Sequence, residues 1–493
     1  MSVILNEVRH GAYLDSVVLM RIARALQLLD DVEVAGLMIG TQANQEILRD
    51  ANVLAANGAA AGPGDIIIAV RATTSDAAEA AIAQARHLID RPAESRGTSK
   101  AWAPRTVRAA VAENPLANLA LISVPGEFAI AEARKALRLG LHAMIFSDNV
   151  SIAEEVELKH EARGLGLLVM GPDCGTAIIG GTPIAFANVV PRGDIGIIGA
   201  SGTGIQEIAC LIARAGRGIS HAIGTGGRDL KSEVGGITTL MAIDMLDADA
   251  ATKHIVIVSK PPAAEVAAKV LERVGLSGKP FTVCFLGDAE RPMPPNANAA
   301  ANLTIAAQLA CVGGTVPPLA ASAPQIDKGF VRGLFAGGTL AAEAQIVFRL
   351  ARLDVMSNAP VPGAKALADI SCAHAMLDLG ADEYTRGRPH PMIEPAVRDE
   401  ALAQALADKQ VAVILLDCVL GFGGHMDPAG HLASHLRGRP KDGPIVIASV
   451  TGTDGDPQNR TAQVAKLEAV GVHVAPSNAL AAELALQIVR RDD

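Results

Sequence analysis

The residues best suited to chemistry lie between Gly193 and Leu230, in GDIGIIGASGTGIQEIACLIARAGRGISHAIGTGGRDL. Ile195–Ile198 reads as a buried parallel strand, Gly199 to Gly204 as a loop of small residues, and Ile205, Ile208, Ala209, Leu211 and Ile212 as the apolar face of a helix. A second short apolar run ends at Gly224-Thr225-Gly226-Gly227, followed by Arg228 and Asp229. Two strand–loop–helix units in succession place two sets of unpaired backbone N–H groups at one sheet edge. The helix dipole favours an anion at such a place. Ser201, Gly202 and Thr203 are thus expected to seat one anionic group, and Gly226, Gly227 and Arg228 a second, since Arg suits planar bidentate oxyanions. Tight turns alone would also use these glycines.

Other candidates are scattered. Lys260 follows the apolar run HIVIVS and would neutralise charge, or serve as an ordinary surface lysine. Asp229 reads as a turn cap in preference to a general base. Cys174, in the loop GPDCG, is a nucleophile if nearby amides lower its pKa, or else a small residue in a tight turn. Arg386, Arg388 and His390 (TRGRPHP) would face an anionic ligand or a partner subunit, or pair with Asp382 and Glu383 in a solvated loop. His425 with Asp427 suits an acid/base or positioning pair, or a capping histidine in a turn. Arg228, His425 and Lys260 are the expected catalytic set, without a recognisable triad. The six cysteines are widely spaced and form no CxxC, so no metal site is predicted and a reducing compartment is expected.

Four units would position these residues. Residues 1–100 read as a small α/β domain. Residues 101–190 alternate strand and helix as a Rossmann-like domain, residues 191–313 as a flavodoxin-type domain, and residues 329–493 as a further α/β domain. Within the last, FVRGLFAGGTLAAEA (330–344) is read as helical, while VAVILLD and PIVIASV are strands that lead into Gly-rich loops. Segments 94–104 and 312–328 are read as joins. The expected fold is α/β, with several parallel-sheet units and ligands at the strands' carboxyl ends.

Bulk properties exclude other classes. The 493 residues suit about three or four domains at roughly 100–200 residues each. Half the residues are hydrophobic and the mean hydropathy is +0.30, so large cores are available. An aromatic content of 2% and a net charge of −9 argue against nucleic acid as a partner. The first residues, MSVILNEVRHGAYLDS, meet charge too early for a signal peptide, and no apolar run reaches the ~18 residues of a membrane span. A cytoplasmic location is expected.

Longer segments carry a resemblance. VPGEFAIAEARKALRLGLHAMIFSDNV, MGPDCGTAIIGG, IGIIGASGTGIQE and IGTGGRDL resemble the succinyl-CoA synthetase alpha subunit over residues 105–312. Together with VRHGAYLDSVVLM, GLFAGGTLAAEA, DLGADEYTRGRPHPMIEP and DCVLGFGGHMDPA, they resemble the FdrA family along nearly the whole chain. The chain departs from the synthetases at two motifs. Residues 1–100 hold no GFTGxxG loop for CoA, and GDAERPMPPNANAAAN (287–302) holds no histidine where the synthetases carry a phosphorylated one. The FdrA resemblance implies an oxamate carbamoyltransferase of anaerobic allantoin and purine breakdown, acting with two partner subunits. Oxalurate and phosphate would give oxamate and carbamoyl phosphate, with no phosphohistidine. The synthetase resemblance implies instead an NDP-forming acyl-CoA ligase subunit using CoA or a nucleotide. A non-catalytic anion-binding scaffold is a third reading.

Overall fold

The computed structural model describes residues 2–12, 14, 16–90, 104–311, 329–368, 370, 373–385, 389–440 and 443–489. The joins expected at 94–104 and 312–328 lie, save for Pro104, outside these residues. The chain forms two compact units, Met1–Ala103 with Asp382–Pro389, and Pro104–Ala381 with His390–Asp493. Among the described residues no helix is long and apolar enough to cross a membrane.

In the first unit, strand Ile66–Ala72 lies between Val3–Arg9 and Val32–Ile39 and pairs antiparallel with both. Its sequence, IIIAVRA, is almost wholly apolar because both faces are covered. Ile66, Ile68 and Val70 meet Leu19, Leu26, Ala78 and Ile82 from helices Ser16–Gln27 and Ser75–Asp90. Ile67 and Ala69 meet Leu48 and Val53 on the other face. The unit is a split βαβ arrangement and not a parallel sheet.

The second unit holds three sheets. Strands Leu119–Ile122, His142–Ile145 and Val169–Met170 form a parallel sheet in chain order. The next sheet has seven strands. Arg192–Ala200 lies at its centre between Ile219–Gly224 and His254–Ser259, all parallel. A hairpin, Thr176–Ile179 with Thr182–Ala185, completes one edge antiparallel. The sheet therefore begins before the boundary expected at residue 190. The third sheet also has seven strands, all parallel, with Phe330–Phe335 and Val411–Val419 at its centre.

Residues 330–344 are not one helix. Phe330–Phe335 is a buried strand, Ala336-Gly337 a turn, and Gly338–Leu350 the helix. Both neighbours of the strand cover its backbone, so its short apolar run pairs as β even though a helical pattern follows directly. This change creates a second strand-to-helix junction facing the first.

The two large sheets share one core. Ile205, Ile208 and Leu211 of helix Gly202–Arg214 pack with Leu340, Ala344 and Phe348 of Gly338–Leu350 and with Leu484 of Asn478–Val489. Glu343 is buried among them. Its carboxylate accepts the Leu303 N–H and the Asn478 Nδ2–H, both at 2.7 Å. Burial pushes its pKa from an ordinary 4.5 up to about 8. Between those values the folded chain keeps a proton that the unfolded chain has lost, so this group's contribution to stability falls as pH rises through that window. The slope for one proton is about 1.4 kcal/mol per pH unit. Urea midpoints of Glu343→Gln, measured from pH 5 to 8, are expected to decline less steeply with pH than those of the native chain.

Candidate functional site

Two helix starts meet at the carboxyl ends of the two large sheets. Strand Arg192–Ala200 delivers Ser201, whose extended backbone (φ −167°) caps helix Gly202–Arg214 and whose Oγ accepts the Gly204 N–H at 3.0 Å. Strand Phe330–Phe335 delivers Gly337, which starts helix Gly338–Leu350. Ser201 Oγ and Thr339 Oγ1 are hydrogen-bonded at 2.5 Å across the junction. The positive ends of two helices thus converge on one place. Lys260, exposed just past strand His254–Ser259, brings its Nζ within 3.1 Å of where a Gly338 Cβ would sit. The Asp378 carboxylate approaches the same point, so residue 338 must lack a side chain. Lys260 has no ion-pair partner among the described residues.

A buried ion pair holds this turn. Asp417, at the end of the third sheet, accepts the N–H groups of Ala336 and Gly337 at 2.8 and 2.7 Å and pairs with Arg398 at 2.9 Å. Burial pushes its pKa up, opposed by Arg398 and the two amides. Arg398 is 2% exposed, so removing its partner leaves a charge in the core. Asp417→Ala is expected to cost about 3–5 kcal/mol, read as a lower urea midpoint, and to release the Gly337 turn, read as faster amide exchange at 336–339.

The second predicted loop is packed from behind. Gly226 has φ +85°, and a Cβ there would collide with the Pro172 carbonyl; one at Gly224 would lie 2.5 Å from Cys174 Sγ. Gly224 and Gly226 let the loop pack against residues 171–176, while Gly227 stays exposed. Arg228 is held by internal partners. Its guanidinium pairs with Glu155 at 2.9 Å and donates to the Val150 carbonyl at 2.9 Å. Asp229 is buried and caps the following turn, accepting the N–H groups of Thr238 and Thr239, and it pairs with Lys159 at 2.7 Å. The cap reading holds for Asp229.

Cys174 is 2% exposed, and burial pushes its thiol up to about 12, so a thiolate nucleophile is replaced by a packing role. His425 and Asp427 do not pair through their side chains. His425 Nδ1 accepts the Asp427 N–H at 3.0 Å, while the Asp427 carboxylate caps helix Pro428–Leu436 at Gly430 and pairs with Lys466 at 2.7 Å. His425 is the turn-capping histidine, and the acid/base pair is withdrawn. Arg386 and Arg388 lie outside the described residues. His390 lies beside the Ala336 carbonyl, next to Gly380, and its Nδ1 accepts the Met392 N–H at 3.2 Å. Burial and Arg398 push its pKa down to about 4, so at neutral pH it is uncharged with its proton on Nε2.

Of the predicted residues, the structure brings Ser201, Gly202, Thr203 and Lys260 together. Sequence reading missed Thr339, Asp378, Asp417 and Arg398. The signal for Thr339 was AGGT after an apolar run, the same small-residue pattern as GASGT. It also passed over His431 and His435, four residues apart, which the fold brings to Asp399.

Comparison places this architecture in a class. The CoA-ligase model matches residues 334–488, the CoA binding domain model residues 192–287, and the AllF, heavy metal-associated domain model residues 1–104. The chain is thus a CoA-ligase-type α/β protein with an added N-terminal domain. It belongs to the family of the Escherichia coli K12 protein recorded as "Uncharacterized protein YahF", with which it is 39% identical over 98% of each chain. The alpha 1 subunit of the ADP-forming succinate–CoA ligase of Archaeoglobus fulgidus is 28% identical over 38% of this chain and 64% of that subunit. The crystal structure of PH0766 from Pyrococcus horikoshii OT3 is similar over 76% of this chain and 83% of that one, with a TM-score of 0.34 and 17% identity.

The class implies CoA, and the junction can be tested for it. Thr203 Cγ2 lies 3.0 Å from where a Gly337 Cβ would sit, and Ser201 touches Thr339. The two helix starts are too close for a dinucleotide-sized ligand to lie between them. At the junction's rim stand Lys260 and the Asp378 carboxylate.

Proposed function

We propose that this chain is an FdrA-type subunit of a carbamoyltransferase acting on oxalurate or a similar ureido acid. The observation that carries the reading is the junction of two helix starts with Lys260. It sets helix-start amides and one ammonium where a small oxyanion could bind, and the segment at 287–302 offers no histidine to phosphorylate. The match of residues 1–104 to a domain model named for AllF supports the same reading.

The reaction balances without a covalent enzyme intermediate. A phosphate oxygen attacks the carbamoyl carbon of oxalurate, and the C–O bond forms as the C–N bond to the oxamate nitrogen breaks. The proton lost by phosphate ends on that nitrogen. Positioning and charge stabilisation suffice for such a step. In this reading Ser201, Gly202, Thr203 and the start of Gly338–Leu350 hold phosphate. Lys260 stabilises the charge that develops on the carbamoyl oxygen, Asp378 relays the proton, and the neutral His390 donates from Nε2 at the rim. Two partner subunits complete the site, in the cytoplasm.

The test is formation of carbamoyl phosphate from oxalurate and phosphate by the chain with its partner subunits. Product formation without ATP or CoA supports the proposal. CoA-dependent nucleotide turnover in the same mixture, with no carbamoyl phosphate, would return the chain to acyl-CoA ligation, the activity named for its succinate–CoA ligase relative.

A further inference from the structure

Away from the helix junction, two helices present a second set of chemical groups. His431 and His435 stand one turn apart on helix Pro428–Leu436, and Asp399 opens helix Asp399–Ala407. His431 Nε2 lies 2.7 Å from Asp399 Oδ1, and His435 Nε2 lies 3.4 Å from Asp399 Oδ2. One ligand atom from each residue falls within 4.8 Å of the others, and the two rings lie 5.0 Å apart. The side chains are 22–37% exposed, open enough for an ion to enter and covered enough to hold the rings. The junction chemistry uses none of them.

We propose that Asp399, His431 and His435 bind a divalent transition-metal ion, Zn²⁺ being the best suited, with water completing its shell. Residues four apart on a helix share a face, which is how two imidazoles reach one ion. Two imidazole nitrogens and a carboxylate oxygen suit Zn²⁺, Co²⁺ or Ni²⁺ better than Mg²⁺ or Ca²⁺, which prefer all-oxygen shells. The ion would replace the protons that otherwise bridge Nε2 to the carboxylate. Neighbouring charges do not oppose it. Asp427 and Lys466 neutralise each other at 2.7 Å, and Arg398, one residue before Asp399, turns inward to Asp417. His425, whose ring is 6.5 Å from that of His431, has its Nδ1 occupied by the Asp427 N–H and keeps only Nε2 for a ligand. The ion would fasten together two helices, one of which continues directly from the Arg398 brace of the anion junction.

The test uses the full chain, stripped with a chelator and dialysed against Zn²⁺. His431→Ala and His435→Gln are each expected to bind one equivalent less than the native chain and to lose the Zn²⁺-dependent rise in melting temperature. Asp399→Asn, which removes the anionic ligand, is expected to weaken binding. With Co²⁺, the native chain should show the d–d absorption of a nitrogen- and oxygen-ligated ion without a thiolate charge-transfer band, and both histidine variants should lack it. Counting the difference from native separates this site from any other in the chain. Circular dichroism of the metal-free variants separates ligand loss from misfolding, and His435, partly exposed in the last helical turn, tolerates Gln there. Equal stoichiometry in native and variant chains, or no Zn²⁺, Co²⁺ or Ni²⁺ bound by the native chain, would overturn the proposal and leave a hydrogen-bonded His–Asp–His cluster.

Discussion

Under the proposed carbamoyl transfer, Lys260→Met is expected to lower carbamoyl phosphate formation about 100- to 1000-fold while leaving the fold intact. The size of the effect follows from where the charge sits. Lys260 is exposed and has no ion-pair partner among the described residues, yet its Nζ reaches the start of a helix whose amides point the same way. A cation so placed acts on charge that appears in the transition state, and its removal falls mainly on kcat. Because no described residue forms an ion pair with it, the urea midpoint should move by no more than about 0.5 kcal/mol in equivalent stability. The assay is steady-state turnover with the proposed partner subunits, with phosphate varied. Turnover within about threefold of native, with the fold unchanged, would remove Lys260 from the chemistry.

The opposite separation is expected at Lys159. Its ammonium is 1% exposed, pairs with Glu155 at 2.8 Å and Asp229 at 2.7 Å, and donates to the Thr225 carbonyl at 3.1 Å. Lys159→Met leaves two carboxylates in the core, one of them still held by Arg228. A broken buried ion pair costs about 3–5 kcal/mol, because the surviving charge has lost both water and partner. The network joins helix Ile152–Gly164 to the loop before helix Ile237–Ala248, so that junction should loosen first. Urea denaturation measures the loss, and amide exchange at residues 225–239 locates it. A midpoint equal to native would show that water reaches the pair.

These two predictions divide the charged residues that sequence reading grouped together. Lys260 and Arg228 both followed strands in Gly- or Pro-rich contexts, and both were expected to meet a ligand. The fold turns Arg228 toward Glu155, a residue 73 positions earlier, and leaves Lys260 facing outward. Spacing along one chain cannot register a partner that arrives from another helix. The same reason explains Asp427, whose carboxylate goes to Gly430 and Lys466 and not to the neighbouring His425.

The sequence by itself determined the α/β class, the parallel strands that end in small-residue loops, and the Ser201–Thr203 helix start. These follow from local patterns: apolar runs, helical spacing, and a serine before a helix whose hydroxyl has an N–H to accept. Tertiary structure alone decided that residues 330–335 are a strand, that Thr339 meets Ser201 across 138 residues, and that Asp399 joins His431 and His435. Each of these depends on which sheet edge or helix face lies opposite. That is fixed by the shared core of the two large sheets and not by any local preference.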